Sequence, residues 1–560
     1  MGAVTAAAVL DAPPPASDPP PADHSPTVRR EVPAPLRPTV PGDRARGWLV
    51  TLAVVAVAAL TRFWALGWPR GKIFDEAYYA TEAQEMLRYG YEDNRGYMFI
   101  VHPPLGKWLI AAGSALFGDN AVIGDGQLLG SGGASNAIGW RIMPAIAGVL
   151  CVLILIRVTR RITGSTLLGG IAGLLMTLDG VSLVMSRTAL LDIFLPLFLL
   201  AAFAAFVLDR DQVRGRLAML YADGADLSAG VPTLGPRPWR LLAGVSLGLA
   251  LSIKWSASSF AVAFVLLSLL WDRGALKSAG VRRPTVETLR RSVPWAAGSL
   301  GVVPIATYLL TWTGWFVGES SWNRHWGDTK SGVGADPSWL PTFITDHLPG
   351  PIRSLIQYHH NAYEFHAHLT SPHAYDSSPW GWLILGRPVS YYYPPDPSGC
   401  GASKCAREVL LIGTPALWWA LIPMLLWTAW HWLTTRDWRA GAVLLSFIAG
   451  WAVWLINQER TMFLFYMTPL MPFLIIGLTL ALGTVLRTDL TRPQRRYEVL
   501  DAGTSEMTEL LLPARPWGRL AVAGYLGLVV ANFMWLWPIL TGGLLTYADW
   551  HARMWFTSWI

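Results

Sequence analysis

Apolar runs of about 17 to 25 residues recur along the chain, and a helix needs that length to cross about 30 Å of hydrocarbon. About eleven segments fit, at residues 47–68, 139–157, 164–182, 187–208, 238–256, 257–272, 293–316, 408–430, 439–456, 461–486 and 517–540. They predict an all-α integral membrane protein, with the sixth run the weakest match. Basic residues gather in alternate connections, as they do in cytoplasmic loops. Arg157, Arg160 and Arg161 end the second run, and Arg210, Arg214 and Arg216 follow the fourth. Arg273, Lys277, Arg282, Arg283, Arg290 and Arg291 separate the sixth and seventh, Arg436 and Arg439 the eighth and ninth, and Arg487, Arg492, Arg495 and Arg496 follow the tenth. This alternation predicts a cytoplasmic N-terminus and an extracytoplasmic C-terminus in the cell membrane.

Polar stretches divide the remainder. Residues 1–46, rich in Ala and Pro, are expected to form a disordered cytoplasmic tail, with the first run of the 47–540 membrane domain an uncleaved signal anchor. Two outer loops, about 69–137 and 317–407, are too long for plain connections and are where function is expected. The first contains Glu76 to Tyr89 and Leu105 to Phe117, too short to span and suited to lying along the interface. A flexible cytoplasmic loop is expected at about 487–517 and an extracytoplasmic tail at 541–560.

Composition strengthens the membrane assignment. Of 560 residues, 52% are hydrophobic and 14% charged, against roughly 25% charged in soluble domains. The 30 Trp suit aromatic belts at the two membrane surfaces. A net charge of +7 does not point to nucleic acid, because the basic residues flank apolar runs and form no single patch. Cys151 lies inside an apolar run, whereas Cys400 and Cys405 share a polar segment and can close a small disulfide loop in an oxidising compartment.

The segment Ile73-Phe74-Asp75-Glu76-Ala77-Tyr78-Tyr79 places adjacent carboxylates beside hydrocarbon, where they are expensive unless solvated, paired or used. Either Asp75 N-caps the helix and Glu76 favours its positive end, or the pair does chemistry. Then comes Val101-His102-Pro103-Pro104-Leu105-Gly106-Lys107-Trp108, whose proline pair stops one element and starts another. Phe-Asp-Glu-Ala-Tyr-Tyr followed by His-Pro-Pro-Leu-Gly-Lys resembles the protein O-mannosyltransferase family. Arg62 in Thr-Arg-Phe-Trp, Arg141 in Trp-Arg-Ile-Met-Pro and Asp192 in Ser-Arg-Thr-Ala-Leu-Leu-Asp also resemble family blocks. So do Lys254-Trp255-Ser256, His359-His360-Asn361-Ala362-Tyr363, and Gln458-Glu459-Arg460 with Phe465-Tyr466 and Pro469. The 317–407 loop is too short for the large soluble MIR domain of fungal and animal relatives, so the resemblance is to bacterial, actinobacterial-type members.

The resemblance implies a GT-C fold and an inverting transfer of mannose from polyprenyl phosphate mannose to Ser or Thr hydroxyls of exported proteins, in some cases during translocation. A phosphodiester leaves without an acid, so one carboxylate acting as base suffices. Asp75 is expected in that role, with Glu76 as partner or binder of acceptor backbone. Arg62, Arg141, Arg460 and Lys254 are the expected donor-phosphate and active-site groups, Arg62 and Arg141 stabilising the carboxylate geometry as well as the phosphate region, although Arg62, Lys254 and Arg460 also suit plain interfacial anchoring. His102, Asp192, His359, His360 and Tyr363 are expected to support the site or bind acceptor; for Asp192 the bland alternative is a structural aspartate beside Arg187.

Five histidines at 359, 360, 366, 368 and 373 invite a metal, but no Glu completes a helical zinc motif. The expectation is no metal and no cofactor, with the lipid donor as substrate and with membrane lipids, not nucleic acid, as surroundings. Two other functions compete. A GT-C enzyme passing its sugar to a lipid or cell-wall polymer differs only in acceptor. A transporter would show internal hydropathy repeats and broken helices near the bilayer midplane; neither is visible in the sequence, and the charged residues cluster at the outer boundary.

Overall fold

Helices follow the apolar runs, and they break where buried polar groups or prolines redirect the backbone. The computed structural model describes residues 31–37, 41–92, 101–118, 137–228, 230–232, 234–328, 347–486, 498–500, 507–509 and 516–560. Numbering only helices of seven residues or more, α1 spans Arg44–Phe63, α2 Glu76–Tyr89, α3 Leu105–Phe117, α4 Ile138–Thr163, α5 Thr166–Thr177 and α6 Gly180–Ser186. Then follow α7 Phe194–Ala222, α8 Pro238–Leu251, α9 Ala257–Ser278, α10 Pro284–Thr311 and α11 Gly350–Ala367. The last four are α12 Pro415–Thr435, α13 Trp438–Ala452, α14 Leu464–Val485 and α15 Pro516–Thr541. Among the described residues, eight helices are long and apolar enough to cross a membrane, or nine if the bent pair α5–α6 is one span. The protein is a multi-pass membrane protein. Helix α14 is its axis: its apolar window is 94% buried, whereas those of α1 and α10 are 22% buried and face outward.

Several runs end differently from their apolar pattern. The run at 164–182 is bent by 65° between α5 and α6. The bend is fully bonded: the Asp179 side chain accepts from Ser182 N and from Trp418 Nε1, and Thr414 Oγ1 donates to Leu178 O and accepts from Gly180 N. Gly180 packs so closely on the Ile412 carbonyl that no Cβ fits. The run at 408–430 opens as a strand, because Val409–Leu411 pairs antiparallel with Val389–Tyr392 and the helix starts only at Pro415. In α10, two π-helical stretches, Thr288–Ser292 and Ala297–Val302, interrupt the α-helical turns.

Among the described residues, six short strands make three antiparallel pairs: β1 (Val389–Tyr392) with β3 (Val409–Leu411), β2 (Cys405–Arg407) with β6 (Leu544–Thr546), and β4 (Glu498–Leu500) with β5 (Met507–Glu509). Cys400 and Cys405 are joined by a disulfide at the start of β2, with a Cα separation of 5.8 Å. The 541–560 segment is not a free tail. It supplies β6, buries Trp559 with its indole N–H on Leu385 O, and offers the Ser558 and Ile560 carbonyls to Arg387. The expected 487–517 loop contributes β4 and β5, and its other residues up to 515 lie outside the described ones.

Part of the expected N-terminal tail is also built in. Ala34–Leu36 form a 3-10 turn, and Leu36 is fully buried among Val213, Leu217, Leu276 and Ala279 of α7 and the end of α9. Arg214 donates to the Pro35 carbonyl. Val32 packs against the same cluster, so the segment has two apolar contacts, with Leu36 the buried one. Leu36→Ala should weaken this docking by about 2–4 kcal/mol. Limited proteolysis should then cut the 31–37 segment several-fold faster while the membrane domain stays intact.

Candidate active site

The connection from α1 to α2 contains no regular structure, so its carbonyls need partners from elsewhere. Two buried arginines supply them. Arg187 donates to the carbonyls of Thr61, Arg62, Trp64 and Ala65, closing the C-terminus of α1. Arg141, from the first turn of α4, donates to Leu66 O, Pro69 O and Gly71 O and makes two 2.7 Å bonds to the Glu76 carboxylate. All of its N–H groups are thereby used. Glu76 is equally saturated, since Ile73 N and Ala189 N donate to its two oxygens at 3.0 and 2.9 Å. Both side chains are fully buried.

This corrects the phosphate-binding and acceptor-binding halves of three expectations. Glu76 has no lone pair left for an acceptor, and Arg141 has no donor left for phosphate; both are positioning groups. Arg62 is neither a phosphate ligand nor an interfacial anchor. It is fully buried inside the bundle, donating to Met176 O and Ser182 Oγ at 3.1 Å each, on either side of the α5–α6 bend.

Asp75 is the opposite of its neighbour. It precedes α2 in a helical conformation and its side chain caps nothing. Phe74, just before it, holds a positive φ of 47°, a conformation costing about 1–3 kcal/mol. The Phe74 ring is fixed by stacking on Tyr391 at 4.4 Å. Among the described residues no group hydrogen-bonds the Asp75 carboxyl. Burial pushes its pKa up to about 6, with the Lys254 ammonium pulling down and the Asp192 carboxylate pushing up.

Lys254 and Asp192 form a 2.7 Å ion pair on the wall of a cavity of about 430 Å³. His102, His366, Arg460 and Tyr466 line the same cavity. The Arg460 guanidinium donates to the His366 carbonyl at 2.8 Å and lies over the Trp454 and Tyr466 rings. His366 Nε2 is 2.6 Å from Val101 O and must carry its proton there, which leaves Nδ1 as acceptor toward Arg460, 3.4 Å away. His102 stacks on His366 at 4.9 Å. Burial and the nearby cations keep both imidazoles neutral, His102 well below its usual value and His366 down to about 4.

A second, almost wholly apolar cavity of about 740 Å³ shares Trp255 and Tyr363 with the first. His359 and His360 lie on its wall, away from Asp75's charged neighbours. Trp255 donates to Tyr308 Oη, Tyr308 Oη is 2.6 Å from His359 Nε2, and His359 Nδ1 donates to Leu355 O. His359 thus holds the Trp255 partition in place. Among the described residues no three His, Cys, Asp or Glu side chains converge as metal ligands.

Comparison with known proteins fits this geometry. The family described as dolichyl-phosphate-mannose-protein mannosyltransferase matches residues 52–313, and the C-terminal four-TMM region of protein-O-mannosyltransferase matches residues 351–559. The chain belongs to the protein O-mannosyltransferase family. It is 42% identical to the polyprenol-phosphate-mannose–protein mannosyltransferase of Mycolicibacterium smegmatis (strain MKD8) over 93% of this chain and 94% of the relative. The Mycobacterium tuberculosis H37Rv protein of the same name is 40% identical over 96% and 97%. The S. cerevisiae protein O-mannosyltransferase Pmt1–Pmt2 complex bound to the sugar donor superposes with a TM-score of 0.66 at 17% identity, covering 92% of each chain. This family member therefore has the GT-C fold.

The sequence offered Arg187 only as a neighbour for Asp192 and His366 only as one of five histidines, and gave no sign that the Ala189 N–H reaches Glu76. Arg187 lies inside a recognised block, but nothing in its spacing reveals that it caps a helix more than a hundred residues away. Glu76→Gln should break the buried pair and lower unfolding stability by about 3–5 kcal/mol, read as a drop in thermal midpoint in detergent. Asp75→Asn, which breaks no bond, should leave that midpoint in place.

Proposed function

We propose that this enzyme transfers mannose from polyprenyl phosphate mannose to Ser or Thr hydroxyls of exported polypeptides, with inversion, at the outer face of the cell membrane. One observation carries the assignment: an unbonded carboxylate of raised pKa, Asp75, is electrostatically coupled to the Lys254–Asp192 pair of a cavity that also holds Arg460. With both histidines neutral, Lys254, Arg460 and Asp192 sum to one positive charge, which matches the single negative charge of a sugar phosphodiester. The donor phosphate sits against Lys254 and Arg460, and the prenyl chain passes Trp255 into the apolar cavity.

Catalysis is a single displacement. The acceptor oxygen attacks the anomeric carbon as the bond to the phosphate oxygen breaks; the electron pair leaves with polyprenyl phosphate, and the hydroxyl proton passes to Asp75. Lys254 and Arg460 stabilise the charge gathering on the phosphate. No second acid, metal or cofactor has a part. We further assign eleven crossings, adding the bent pair α5–α6, the short α8 and the Trp-rich α12 to the eight long apolar helices. The N-terminus is then cytoplasmic and the Cys400–Cys405 disulfide extracytoplasmic, as oxidation requires.

The test is transfer of radiolabelled mannose from polyprenyl phosphate mannose to a Ser/Thr-rich peptide by membranes containing this chain. Asp75→Asn should abolish labelling with donor binding retained; label in a lipid or polymer fraction instead of the peptide would replace the proposed acceptor. Transfer should fall with unit slope as pH drops below about 6, because the base must be ionised to accept the proton. Arg460→Ala should raise donor KM by about 10- to 100-fold, the worth of a charge-assisted hydrogen bond.

A further inference from the structure

Beneath the α2–α3 hairpin lies a cluster of charges that the mechanism above does not use. Lys107, in the first turn of α3, has its ammonium fully buried, 2.8 Å from Glu82 and 2.6 Å from Glu92. Both carboxylates are almost fully buried as well. Glu82 stands on α2, whose first residue directly follows Asp75, whereas Glu92 lies beyond the left-handed Gly90 that ends α2. Lys107 stands five residues after His102, which lines the charged cavity and packs near Tyr79 of α2 at 6.0 Å. The two ends of the hairpin thus face different halves of the reaction, the base at the start of α2 and the donor cavity before α3.

Resting on the transferase assignment, we infer that Lys107 is a positioning residue: its ion pair with Glu82 sets α2 against α3 and so holds Asp75 in register with the donor cavity. Buried ion pairs contribute little net stability against apolar replacements and are better suited to fixing one geometry. Glu92 supplies a second carboxylate for one lysine, and burial with Glu82 nearby pushes it up to about 7, so it is the partner the cluster can spare.

The two carboxylates give a discriminating test, because either Gln substitution leaves Lys107 one balanced partner and only one severs the tie to α2. In the labelled-mannose assay, with the full chain in membranes and Asp75→Asn as the inactive control, Glu82→Gln should lower kcat about 30- to 100-fold, as expected for a misplacement near 1 Å. Donor KM should stay within about twofold of that of the unaltered chain, since the phosphate ligands are untouched. Glu92→Gln should keep kcat near that of the unaltered chain, and Lys107→Arg should recover more activity than Lys107→Met. Equal kcat for Glu82→Gln and the unaltered chain would overturn the inference, as would equal losses in both Gln variants accompanied by equal losses of folded protein. No transfer by the unaltered chain would instead overturn the transferase assignment, and this inference with it.

Discussion

The buried pair between Arg141 and Glu76 is the constraint on which the site depends. An ion pair removed from water repays its desolvation only when every lone pair and N–H is satisfied. Here each group completes its set from the backbone: Glu76 takes Ile73 N and Ala189 N, and Arg141 takes three carbonyls of the α1–α2 connection. Four separated parts of the chain thereby meet at one point: the end of α1, the start of α2, the first turn of α4 and the link between α6 and α7. An irregular segment is given one conformation, positive φ at Phe74 included. Asp75 can stay unbonded because the residue after it is bonded completely.

The same economy explains the two arginines that share no contact with the cavity. Arg187 closes the C-terminus of α1 where its last carbonyls lack intrahelical partners. Arg62 bridges Met176 and Ser182 across the bend of α5 and α6, and α6 leads to Ala189, whose N–H reaches Glu76. These two arginines thus spend their donors mainly on backbone carbonyls inside the bundle, whereas Lys254 and Arg460 lie on a cavity wall. Arginine suits the first task because its planar fork serves several acceptors at once.

Much of this was legible in the sequence and some of it was not. Eight of the eleven apolar runs coincide with helices long enough to cross a membrane, since bilayer thickness fixes helix length, and the short stretches at Glu76–Tyr89 and Leu105–Phe117 became α2 and α3 with the expected bounds. Hydropathy could not place the bend at Asp179, because the polar atoms that terminate α5 are satisfied by Thr414 and Trp418, far away in sequence. For the same reason it merged β3 into the run at 408–430. At the site, residue type could not show how neighbouring charges divide between bonded and unbonded. Asp75 and Glu76 are chemically near-equivalent, and only the partners that tertiary structure brings to Glu76 separate a fully bonded carboxylate from an unbonded one. The docking of Leu36 was hidden by a Pro-rich context that reads as disorder.

The neutral histidines show how the cavity's charge is set. A cavity holding four cations would bind a phosphodiester tightly but would bind the departing phosphate monoester, with its greater charge, more tightly still, and product release would suffer. The fold prevents this by geometry. His366 must donate through Nε2 to Val101 O, and its other nitrogen faces Arg460, where a proton would meet a guanidinium. His102 is stacked on His366 and shares its cationic surroundings. Imidazole therefore contributes shape and a lone pair here, not charge, and the positive charge on the cavity wall is that of Lys254, paired with Asp192, and of Arg460.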